Sequence, residues 1–76
     1  MQFQAVLGGR VVSYPQAATF VIERREPGKP YCLVGSKDNI DNALGKFHRA
    51  AKPGTTTRLS YVEDGRIHPM VRKAHA

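Results

Sequence analysis

The chain has 76 residues, twelve of them Lys or Arg and six Asp or Glu, for a formal charge of +6. So short a chain is expected to form one domain over residues 1–76 that buries only about 60% of the surface its unfolded chain exposes, and its lone cysteine, Cys32, excludes an internal disulfide framework. Its longest apolar runs are a few residues, against about 20 needed to span a bilayer, and Met1 to Gly9 lacks the basic and apolar regions of a secretory signal, so a cytoplasmic protein with no membrane partner is expected.

Gln2 to Leu7 alternates polar and apolar residues, the pattern of a half-buried strand. Gly8-Gly9 offers a two-residue primed turn into Arg10-Val-Val-Ser-Tyr14, and Pro15, which has no N–H to donate, should end that strand. Ala18 to Glu26 is rich in β-branched and aromatic residues and predicts the strongest strand. Glu26-Pro27-Gly28-Lys29 suits a type II turn, with Pro at its second position and Gly at its third. Tyr31 to Val34 should return, stopped by Gly35.

Ile40, Ala43, Leu44, Phe47, Ala50 and Ala51 recur at helical spacing and form one apolar stripe. Ser36 or Asp38 is the expected N-cap, and Pro53-Gly54 the stop. Asp38 and Asp41 then lie at the positive end of the helix dipole, with Lys46, Arg49 and Lys52 at the negative end. After Thr55-Thr56-Thr57, Arg58 to Glu63 alternates again. Asp64-Gly65 is a type I′ signal that should pair Arg66-Ile67-His68 back before Pro69 interrupts. From about Met70 the chain reads as a loose basic tail. The order implies an α+β fold: an antiparallel sheet of about four to six strands with one amphipathic helix packed across one face.

The positive charge is unevenly spread. Met1 to Leu44 holds five basic and four acidic residues, whereas Gly45 to Ala76 holds seven basic and two acidic. The seven, Lys46, Arg49, Lys52, Arg58, Arg66, Arg72 and Lys73, are the candidate binding residues. No acid three or four positions earlier quenches the three on the helix, and Gly45 beside them could admit a phosphate backbone. Such a balance points to nucleic acid or an acidic protein or nucleoprotein surface, although basic residues near a helix C-terminus also arise from the dipole alone.

Strand alternation sends Arg24 and Arg25 to opposite faces of the sheet. The face away from the helix, with Val21, Cys32, Arg58, Ser60 and Val62 as candidates, would be mixed apolar and basic. It could serve a homodimer, a protein partner or nucleic acid, unless the N-terminal hairpin covers it. From Phe20 to Ala51 the order of strand, turn, strand, Gly and helix is similar in layout to the sheet-plus-helix DNA-binding modules of the AP2 and integrase-arm type. The chain has no Trp, so the sheet arginine and tryptophan pattern of the AP2 group is missing, and the resemblance assigns no base-contacting residue.

No catalytic, metal or cofactor pattern emerges. His48, His68 and His75 are not spaced as paired ligands, and Cys32 belongs to no Cys-x-x-Cys pair. Cys32 within a strand is expected to be a small buried hydrophobe. Gly28-Lys29 lacks the earlier glycine of a phosphate loop. The reading is therefore a small, basic, non-enzymatic binding module that associates stoichiometrically with nucleic acid or a nucleoprotein. The alternative is a compact protein inhibitor or adaptor of the anti-CRISPR kind that phages and mobile elements encode against host defence complexes.

Overall fold

The protein is described by a computed structural model covering residues 2–16 and 18–76. It contains β1 (Gln2–Leu7), β2 (Arg10–Pro15), β3 (Thr19–Arg25), β4 (Cys32–Lys37), α1 (Ile40–Arg49), β5 (Thr56–Glu63) and β6 (Arg66–Ala74). The first two strands form a separate two-stranded sheet, and the other four form an antiparallel sheet in the order β4-β3-β5-β6. The α+β expectation holds, with the strands divided between two sheets.

Local chemistry explains the turns. Gly8 and Gly9 have φ of 59° and 78°, and Asp64 and Gly65 have φ of 53° and 74°, the two consecutive positive values of a type I′ turn. Lys29 N–H donates to the Glu26 carbonyl at 3.0 Å, closing the Pro-Gly turn. The helix N-cap is Asn39 rather than Ser36 or Asp38. Its side-chain oxygen accepts from the N–H groups of Asp41 (2.8 Å) and Asn42 (3.2 Å). Ser36 is unavailable because β4 runs through it to Lys37. At the other end α1 stops at Arg49, with Ala50 as C-cap, so the apolar stripe's last member, Ala51, lies beyond the helix.

The expected stop at Gly35 does not occur. β4 pairs Gly35 with Ile22 and continues, after a bulge that leaves Val34 without a partner opposite. Gly35 lies under the helix, where a Cβ would meet Lys46 Cε at 3.1 Å, so the residue serves close approach of helix to strand. The tail is likewise ordered. β6 runs through Pro69 to Ala74, paired along β5, with a second bulge beside the proline. An edge strand next to a bulge is where a missing N–H is tolerated. Met70, the bulged residue, is buried. His75 closes the strand end: its N–H donates to the Thr55 carbonyl (2.8 Å), and its Nε2 hydrogen-bonds the hydroxyl of fully buried Thr57 (2.7 Å).

Alternation fixes the two faces of the large sheet. Phe20, Ile22 and Leu59 point to the helix, meeting Ala43, Phe47 and Ala50, and both bulges turn an extra apolar side chain, Val34 and Met70, toward this core. The hairpin β1-β2 joins the same core. Tyr14 packs edge-on against Phe20 with ring centroids 5.3 Å apart, and Leu7 lines a cleft with Leu44, Phe47 and Val71. The hairpin therefore lies beside the helix, on the helix side of the sheet, and does not cover the other face.

Candidate anion-binding face of the sheet

The seven cations read from the sequence do not converge. Lys46 is half-buried, its stem laid over Gly35. Arg49 folds back along the helix, with Nη1 3.0 Å from where a Cβ on Gly45 would stand, so the opening expected at Gly45 is filled by the protein's own guanidinium. Lys52 is exposed in the loop beyond the helix. Arg66, Arg72 and Lys73 are exposed on β6, an edge strand whose unpaired backbone groups charged side chains protect from pairing with another chain. Lys73 stands opposite Thr57 and so belongs to the helix side, whereas Arg72 stands opposite Arg58 on the other side.

That other side gathers what the linear charge count did not. Arg24 and Arg25 do diverge: Arg24 Nη1 donates to the Ala50 carbonyl at 3.0 Å, capping the helix C-terminus, while Arg25 lies 5.1 Å from the centre of the Tyr31 ring. Arg58 sits over the same ring at 3.9 Å. It also donates from Nε and Nη2 to one oxygen of Glu23, at 3.1 and 2.8 Å, directly across the β3-β5 pair. The ring and the carboxylate hold Arg58 in one orientation, since a cation over an aromatic face is attracted by about 0.5–2 kcal/mol, more as it loses water. Val21, Val62 and fully buried Ser60 continue this face, and Leu33 and Ile67 bring exposed apolar surface to it.

At the β6 edge, Arg58 and Arg72 meet Arg10 of the hairpin in a cleft of about 390 Å³, completed by Pro69, Met70 and Val71 with no acidic residue in its lining. A second cleft, of about 290 Å³, lies at the opposite corner by the Pro-Gly turn. Its cations are largely committed: Arg24 to the helix end, and Lys29 to Glu26 at 3.1 Å. The first cleft is thus the stronger place for an anion. Arg10, Arg25 and Tyr31 are the members the sequence reading missed, because the first two lie in the nearly neutral stretch before Gly45.

Cys32 is exposed on edge strand β4, contrary to the buried expectation, because it lies opposite Arg24, beyond the part of β4 that the helix covers. Among the described residues no cluster of three His, Cys, Asp or Glu is placed to hold a metal ion, and no helix is long and apolar enough to cross a membrane. No family model matches the chain, and neither a curated protein nor a solved structure does.

Proposed function

We propose that the protein is a non-enzymatic nucleic-acid-binding module that holds phosphates on the face of its four-stranded sheet away from the helix. One observation carries this reading: Arg25, Arg58 and Arg72 share that face with Tyr31, and Glu23 is the carboxylate set among them. Guanidinium groups suit phosphate through paired, charge-assisted donors, and such contacts position a protein on a nucleic-acid backbone. The helix cations extend the positive field but are turned back onto their own helix and strand.

Fluorescence anisotropy with labelled single-stranded and duplex oligonucleotides tests this. The pair Arg25→Glu/Arg72→Glu should abolish binding, and Lys46→Glu/Arg49→Glu should reduce it only modestly. The reverse ranking would move the interface to the helix. Exposed Leu33 and Ile67 on the same face support a second reading, a protein inhibitor or adaptor that docks through apolar contacts. Wild-type protein that binds neither oligonucleotide would favour it.

A further inference from the structure

We propose that Arg10, Arg58 and Arg72 form a discrete phosphate site whose occupation clamps the N-terminal hairpin onto the sheet. This rests on the sheet face being the nucleic-acid surface and adds a specific subsite with a conformational consequence.

Three observations lead there. First, the hairpin is a sheet of its own, with no ladder hydrogen bonds to the four-stranded sheet, so side-chain packing holds it in place. Leu7 and Tyr14 anchor it, but where its tip meets the helix and β6 a cleft of about 200 Å³ remains, lined by Val6, Leu7, Gly8 and their neighbours. Second, the arginine cleft straddles that junction, with Arg10 from the hairpin and Arg58 and Arg72 from the sheet. Third, the cleft is poised for an anion. Among the described residues Arg10 and Arg72 have no hydrogen-bonded acceptor, while Arg58 is held in place by Glu23 and Tyr31.

The energetics follow from charge. Arg10 and Arg72 bring unpaired positive charge to one cleft, whereas Arg58 is paired with Glu23, and since Arg10 comes from the hairpin, their repulsion acts to lift its tip. A phosphate reverses the sign, because Arg10 and Arg72 each carry five N–H donors with no protein acceptor among the described residues, and Arg58 keeps those not given to Glu23, so the phosphate oxygens can accept from hairpin and sheet at once. Phosphate binding and hairpin docking are therefore linked: a ligand that binds the docked state preferentially increases its population. A phosphodiester seated here would continue onto the Arg58–Tyr31–Arg25 face, so the hairpin would close over one end of the bound strand.

Thermal melts and amide hydrogen exchange in inorganic phosphate, against chloride at equal ionic strength, test the clamp without any nucleic acid. At phosphate tenfold above its dissociation constant, the folded-to-unfolded ratio should rise about elevenfold. Amides of β1 and β2 should gain protection beyond that of β3 and β5. In Arg10→Gln both gains should vanish, and in Lys46→Gln/Arg49→Gln both should remain. Equal gains in wild type and Arg10→Gln would reduce the effect to the general exclusion of phosphate from protein surfaces and overturn the clamp, as would no gain in wild type. A short oligonucleotide should protect the hairpin as phosphate does, and phosphatidylserine vesicles should not; protection by vesicles alone would overturn a nucleic-acid ligand. Oligonucleotide binding that persists in Arg10→Gln without hairpin protection would sink the clamp while leaving the sheet-face reading intact.

Discussion

The proposed nucleic-acid binding through the sheet face carries a definite salt dependence. On the proposed reading, Arg10, Arg25, Arg58 and Arg72 are the residues that meet phosphates. Each neutralised phosphate releases counterions, so four contacts give a slope of log affinity on log salt of about −2.8 for a single strand and about −3.6 for a duplex. Between about 50 and about 200 mM salt, binding should therefore weaken about 50-fold for the single strand and about 150-fold for the duplex. Removing two contacts with Arg10→Gln/Arg72→Gln should at least halve the slope, leaving no more than about a sevenfold loss for a single strand over the same range. Lys46→Gln/Arg49→Gln should leave the slope unchanged. Arg58 is shared with Glu23, so of the four it should contribute least to the slope. Anisotropy titrations at four or five salt concentrations measure all three proteins. A wild-type slope near zero would refute a phosphate-dominated interface, and a slope halved by the helix variant but untouched by the sheet variant would refute its location.

Other consequences can be checked on the free protein. Phe47 is buried at the middle of the helix–sheet core, so Phe47→Ala should cost about 3–5 kcal/mol and lower the melting midpoint by about 12 °C or more. An unchanged midpoint would contradict the packing of α1. Asn39→Ala removes the cap acceptor of two N–H groups and should cost about 1 kcal/mol, seen as a fall of about 4–8 °C. Cys32 is exposed, so the folded protein should react with a maleimide nearly as fast as the unfolded chain does, and Cys32→Ser should change stability by no more than about 0.5 kcal/mol; slow labelling would place that edge of β4 under cover.

What the sequence alone determined is local. The Gly8-Gly9, Pro27-Gly28 and Asp64-Gly65 turns were legible because few residues accept positive φ. The helix was legible because its stripe has a single period over Ile40 to Ala51. The divergence of Arg24 and Arg25 followed from the pleat. The cap was misplaced because its position depends on where β4 ends, and Gly35, read as a stop, instead lets Lys46 approach the strand.

The site was decided by tertiary structure. Counting back from the Asp64-Gly65 turn would set Val71 opposite Arg58 and send Arg72 to the helix side. The bulge at Met70 shifts the pairing by one residue, and because the side-chain period is two, that single step puts Arg72 beside Arg58 on the face away from the helix. No local signal encodes the step: it is set by Met70 reaching the core and by Pro69 lacking a ladder N–H. Arg10 joins them only because the hairpin docks beside the helix, driven by burial of Tyr14 against Phe20 and of Leu7 against Leu44, Phe47 and Val71, side chains distant from Leu7 along the chain. Charge counted along the chain marks its cationic half, but which cations share a surface depends on register and docking, and both are properties of the folded core.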